Sequence, residues 1–462
     1  MSILRFLILA DCICVLLVFG SCKKMIEVAP PINQLEQELV FSDSLLATAS
    51  VTGLYSRMVN NQNNFGSFVL TVFPGLTSDE LYNTATQATY DPFYANAIPT
   101  NNTTVRLAFY EQVYRNIYHT NACLEGLAKA SNISADALNQ LTGEMKFMRA
   151  FHYFYLVNIF GDVPLILKTN FDENSTIPRT SAQAIYKQIE KDLDDAMNLL
   201  STSYPISGRV RPNKWTAAAL SSRVHLYLGN WAKAEELSSA VINSNSYSLV
   251  VNIDSAFLNN NKEAIWQLQM SNGVFVQEAT TFIPASATTR PALGITLQLY
   301  NSFENNDKRK ASWIKQSTAT GGPFYYPNKY KERLSSTVTS NAKEQITFLR
   351  LAEQYLIRSE ARAQQNNLIG SIADLNVVRI RAGLTALSNS LAQSAVLTAI
   401  EKERKIELMI ELGHRWFDLK RTGKADAVLA PIKTAWQSTD VLFPIPHLER
   451  LRNPDLTQNP GY

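Results

Sequence analysis

The sequence predicts a mainly α-helical protein, with about four helix pairs stacked as a repeat scaffold, long irregular loops and a few short strands. Three observations carry that expectation. Apolar residues recur at three- and four-residue spacing through most of the chain, as helices with one buried face require. Gly and Pro punctuate those segments where a helix has to end. Three stretches, 71–102, roughly 246–345 and the part beyond about 425, lose the period. Loops of that length inside a compact domain are uncommon and usually functional.

The first element is a targeting segment. The apolar run Ile13–Phe19 is too short to span a bilayer, which needs roughly 20 residues. With Arg5 before it and Gly20-Ser21-Cys22 after it, residues 1–21 read as an export signal. The small-small-Cys ending resembles a bacterial lipobox, from which Asp11 and Phe19 depart. That resemblance implies acylation of Cys22. Residues 22–41, with Pro30-Pro31 and no period, then read as an acylated tether. Cys12 and Cys14 fall in the signal, so Cys123 alone remains in the body and reads as a buried small hydrophobe. A formal net charge of +3, with basic residues interspersed among acids and no arginine-rich run, gives no sign of a nucleic-acid partner.

From there the helices follow in order. Ser42 or Asp43 can cap a helix to about Asn60. Tyr110, Val113, Tyr114, Ile117, Asn121, Leu124 and Leu127 form a helical stripe. Leu138, Leu141, Met145, Met148, His152 and Tyr155 form another, stopped by Gly161 and Pro164. Thr180 and Gln183 make a capping-box pair ahead of Ile185, Ile189 and Leu193. In "NKWTAAALSSRVHLYLGNWAKAEELSSAVINSN" a small-residue helix ends at Gly229, and Trp231 opens a second with Ala234 and Leu237 facing back. This resembles a tetratricopeptide repeat. "FLRLAEQYLIRSEARAQQNNLIGSIADLNVVRIRAG" is a degenerate second instance. "EAIWQLQMS" reads as a strand, with Trp266 in the core.

Separated motifs then fall into one order. "LTSDE" (Leu76–Glu80), "MRAFHYFYLVNIFGDVPL", "FLRLAEQYLIRSEA" with "LNVVRIRAGL", "ERKIELMIELGHRWFDLKRTGK" and "PIPHLERLRNPDLTQNPGY" together resemble the SusD/RagB family. The resemblance covers nearly the whole chain after Cys22, and implies one SusD-like domain over 42–462 with insertions at about 71–102 and 246–345. It also implies a lipid-anchored protein on the extracellular face of the outer membrane. Such a protein binds oligomeric nutrients, glycans or peptides, over a SusC-like TonB-dependent barrel. No cofactor or bond-breaking step is implied.

The residues offer little for catalysis. Glu403, Glu407 and Glu411 stand four apart on a helix, but interleaved Lys402, Arg404 and Lys405 read as i,i+4 ion-pair partners. Arg415 and Asp418 read as a buried pair. The five histidines lie far apart without metal-ligand spacing, and GxSxG, GxGxxG and Walker A patterns are absent. The remaining candidates are loop aromatics, because sugars present apolar CH faces that stack on rings while amides and charges bond their hydroxyls. Tyr82, Tyr90, Phe93 and Tyr94 lie among Asn83, Asn96 and Asn101; Trp313, Phe324, Tyr325, Tyr326 and Tyr330 lie near Arg309 and Lys315. Tyr82, Tyr94, Trp313, Tyr325 and Tyr326 are the expected ligand contacts. Two alternatives stay open: a surface glycoside hydrolase, and a scaffold binding only protein.

Overall fold

Asp43 accepts the amide N–H groups of Leu45 and Leu46 at 2.7 and 3.1 Å, and so starts helix α1 (Ser44–Val59). The computed structural model describes residues 37–59, 65–66, 68–270, 275–333 and 343–462. The signal, Cys22 and most of the tether lie outside the described residues.

Helix α2 (Phe68–Thr77) corrects the expected loop from 71. All its residues are buried, so no polar face marks the helical period, and Pro74-Gly75 disguises it further. Wider π-type turns at Val105–Glu111 lead into α3 (Gln112–Lys129). Then α4 (Ala135–Phe160) runs from a Ser134 cap to Gly161, whose φ of 71° suits glycine. In α5 (Ala182–Leu199) the cap is Ser181, one residue past the expected Thr180.

The two hairpins with repeat signatures form as expected. Helix α6 (Lys214–Tyr227) turns through Gly229 into α7 (Trp231–Asn243). Helix α8 (Leu351–Gln364) turns through Asn366, at φ 62°, into α9 (Leu368–Arg381). The hairpins stack α7 against α8, and α4 packs along α5. Helices α10 (Gln393–Glu407) and α11 (His414–Arg421) complete the scaffold.

Among the described residues, six short strands, β1 (Leu81–Asn83), β2 (Ala264–Leu268), β3 (Leu293–Ile295), β4 (Ile314–Ser317), β5 (Phe324–Pro327) and β6 (Ile346–Arg350), make three antiparallel pairs: β1–β3, β2–β6 and β4–β5. Trp266 on β2 is fully buried, with its ring edge-on to Phe147 and Phe151 at 5.0 and 5.3 Å. Cys123 is buried, its Sγ 3.4 Å from the Ser50 hydroxyl.

Buried ion pairs tie the loop-rich half to the helices. Asp79 receives Arg415 at 2.7 and 3.1 Å and Lys405 at 2.8 Å. Burial alone would raise the Asp79 carboxyl, but these cations hold it at about 2. The expected Arg415–Asp418 pair is therefore replaced: Asp418 binds Arg404 and Arg421 instead. Next to Asp79, Glu80 accepts the Ile410 N–H at 2.8 Å and secures a tight turn in which Ile410 and Leu412 both take positive φ.

Burial pushes the Glu80 carboxyl up to about 8, with the nearby Asp79 charge adding to it. A folded pKa above the unfolded value of about 4.3 contributes stability that is complete below that value and is lost as pH rises through 8. Glu80→Gln keeps the acceptor and removes the titration. Its melting temperature is expected to decline less between pH 5 and pH 8 than that of the parent protein, opening a gap of a few degrees. Parallel thermal melts with identical slopes would refute this.

Candidate functional site

On the loop-rich face, β3 packs beside β5, which carries Tyr325. Thr296 follows β3 and caps a short helix, Leu297–Ser302, its hydroxyl accepting the Leu299 N–H at 3.2 Å. That helix carries Tyr300. In the β4–β5 hairpin the register sets Tyr325 opposite Gln316. The two tyrosine rings stack, with centroids 3.6 Å apart and planes 14° apart. The Lys310 ammonium lies 3.8 Å from the Tyr300 centroid, a cation–π contact.

Beside this stack opens a cavity of about 440 Å³, bordered by both tyrosines, Glu304, Lys310, Lys315 and Gln316. Asn305 and Asn306 add exposed amides. The Glu304 carboxyl is held at about 2, chiefly by its bond from Arg379 at 2.8 Å and against partial burial, with Lys402 assisting. It therefore remains an acceptor at any ordinary pH. A ring face edged by amides, a carboxylate and ammonium groups suits a ligand with apolar CH faces and many hydroxyls.

Of the expected contacts, Tyr325 borders the cavity. Tyr82 and Tyr94 occupy a neighbouring part of the face. Tyr82 is half-buried on β1 and paired with Gly294, while Tyr94 is exposed with the Lys433 Nζ 5.3 Å from its ring. Arg290 lies near Tyr82 and sits 4.8 Å over the Phe324 ring. Trp313 and Tyr326 need correction. Trp313 is fully buried, edge-on to Phe257 and 4.3 Å from Lys329, so it packs the loop and offers no face to a ligand. Tyr326 is also buried. Arg309 is buried against Asp307, Glu403 and Glu407 and does not reach the face. Asn96 and Phe93 are buried too, Asn96 accepting from Lys433. Tyr300, which completes the stack, was not among the sequence candidates. The carboxylates Glu403, Glu407 and Glu411 pair with distant Arg309, Arg350 and Lys329 rather than with their helix neighbours.

Gly294 has a positional role. A Cβ there would fall 2.5 Å from Cε1 of Tyr82. Gly294→Ala is expected to displace that ring and cost about 1–3 kcal/mol. A denaturation midpoint unchanged from the parent would contradict it.

Residues 24–226 match a family model described as starch-binding and associating with the outer membrane, and residues 296–462 match the SusD family model. The chain belongs to the SusD/RagB family. This SusD-family chain is 26% identical to SusD-like protein P25 of Formosa agariphila, over 97% of its own length and 98% of that relative. A SusD superfamily protein of Bacteroides vulgatus shares the fold, with a TM-score of 0.80 at 22% identity over 91% of this chain and 100% of that one. A laminarin-binding SusD-like protein aligns with a TM-score of 0.75 at 26% identity, covering 90% and 99%. The family is one of carbohydrate-binding, outer-membrane-associated proteins.

Proposed function

We propose that this protein is an outer-membrane lipoprotein that captures an oligosaccharide at the Tyr300–Tyr325 cleft and delivers it to a SusC-like TonB-dependent barrel. The observation that carries the reading is the partly exposed tyrosine stack beside a polar cavity on the loop-rich face. The laminarin-binding neighbour at 26% identity supports a glycan over a peptide. Tyr82 and Tyr94, with Arg290, extend the platform along the same face. Capture is an equilibrium of stacking and hydrogen bonding, followed by a lid-like movement over the barrel; no bond is broken.

Acylation of Cys22 anchors the chain on the extracellular face. Two acyl signals give stable attachment where one gives only reversible binding. Cys22→Ala is expected to move the protein from the membrane fraction to the soluble fraction. Continued membrane retention of that variant after a salt wash would contradict the anchor.

The ligand reading is tested with the protein from Cys22 onward, titrated calorimetrically against β-glucan, α-glucan and peptide panels. Binding of one saccharide class, without release of reducing ends, is expected. Reducing-end release would instead favour the glycoside hydrolase alternative, and peptide binding alone would replace the sugar.

A further inference from the structure

A second cavity, of about 820 Å³, shares no lining residue with the tyrosine cleft. Tyr110, Tyr114 and Tyr118 follow one another at four-residue intervals along its helical side. Residues of the 164–177 segment, among them Phe171, and Arg452 with Leu456 near the carboxyl end supply the rest. Tyr114 is fixed by donating its hydroxyl to the Pro164 carbonyl at 2.9 Å. Two of the lining aromatics open to solvent: Phe171 is 80% exposed and Tyr118 55%. Large aromatic side chains left this exposed beside a cavity mark a contact surface.

The charges lining the groove are arranged in depth. Glu111 is engaged by Arg106 at 2.8 Å, Arg115 at 3.0 Å and Arg452 at 3.2 Å, and Glu449 by Arg452 at 2.6 Å. Those carboxylate side chains are only 10% and 17% exposed, whereas Arg115 and Arg452 are 66% and 63% exposed. Solvent therefore meets guanidinium rather than carboxylate. Asp172 and Glu173 neighbour Phe171 in sequence but do not line the groove, and Glu173 pairs with Lys168.

We propose that this groove docks a segment of a partner protein in which a bulky apolar side chain is flanked by carboxylates. The apolar group enters beside Tyr118 and Phe171, where burial gives the energy, and the carboxylates meet Arg115 and Arg452, which set the specificity. A largely exposed Phe171 beside Tyr118, with guanidinium rather than carboxylate turned to solvent, fits an apolar side chain set between carboxylates.

The test uses the protein from Cys22 onward and two fluorescent peptides, Trp-Leu flanked by Glu/Asp and Trp-Leu flanked by Lys. Anisotropy should show the acidic peptide bound at least tenfold more tightly than the basic one. Phe171→Ser should abolish that binding. The Arg115→Glu/Arg452→Glu variant should invert the preference. All three positions are exposed, and an unchanged far-UV circular dichroism spectrum in each variant checks the fold; the double charge reversal, which takes Arg452 from Glu449, is expected to lower the melting temperature without losing that spectrum. Equal affinity for both peptides overturns the proposal, as does acidic-peptide binding that survives Phe171→Ser. So does a saccharide whose binding is lost with Phe171→Ser. Oligosaccharide affinity at the Tyr300–Tyr325 cleft should be unaffected by these variants, so failure here and failure of the glycan reading are separable.

Discussion

Tyr325→Ala is expected to weaken oligosaccharide binding about thirtyfold, the equivalent of about 2 kcal/mol for truncating a central aromatic contact. The geometry assigns the two rings different tasks. Tyr300 has the Lys310 ammonium over its ring and Tyr325 stacked against it, so its contacts are already made within the protein. On the proposed reading, Tyr325 is therefore the ring expected to receive the sugar, with Tyr300 supporting it. Tyr300→Ala removes the support beneath it and is expected to weaken binding less, by about tenfold. Tyr325→Phe keeps the ring and should bind within about threefold of the parent, about 0.6 kcal/mol. Calorimetric titration with the saccharide selected from the panel measures all three. If Tyr325→Ala stays within twofold, the cleft is not where the ligand sits.

The helical scaffold was readable because its signals are local. A cap such as Asp43 and the glycine at 229 each act within one turn of chain. The family blocks were readable as well, and the structure gives them a physical sense. "LTSDE" and "ERKIELMIELGHRWFDLKRTGK" are joined by the Asp79–Arg415 ion pair and by Glu80 on the Ile410 amide, contacts more than 300 residues apart in sequence.

The binding face was only partly readable. Trp313 follows Lys308, Arg309 and Lys310, a run that reads as a solvated surface. Yet Arg309 is itself fully buried by Asp307, Glu403 and Glu407, so its charge gives a false signal of exposure and the tryptophan beside it goes into the core. Tyr300 sits in "LQLYNS", which carries no sign of a site. Its partner Tyr325 reaches it only through the β4–β5 pairing. Long-range partners of this kind leave no periodic trace, and they decide which aromatic is platform and which is packing.

Glu407→Gln is expected to cost about 3–5 kcal/mol of stability, the range for removing one partner from a buried ion pair. Glu407 Oε1 accepts from Arg350 at 2.5 Å and from Arg381, while Oε2 accepts from Arg309 at 2.9 Å. Arg350 continues to Glu263 at 3.1 Å and Glu411 at 2.8 Å, so one carboxylate joins the β6 end, α9, α10 and the short helix Lys308–Trp313 before β4. Burial alone would raise the Glu407 carboxyl, but Arg381, Arg350 and Arg309 hold it well below the usual range. A depressed carboxylate contributes stability above its unfolded pKa of about 4.3, and that contribution fades as pH falls toward the folded value. The Gln variant should therefore be weaker at neutral pH and show a shallower acid-side decline below about pH 4.3, by urea midpoint at pH 7 and pH 3. Because the penalty comes from stranded guanidinium charge, Glu407→Gln combined with Arg381→Met should cost less than the sum of the two single changes. Strict additivity, or a single-variant loss below about 1 kcal/mol at pH 7, would mean the network is solvated and does not brace Arg309 and the Asp307 beside it, which borders the cleft.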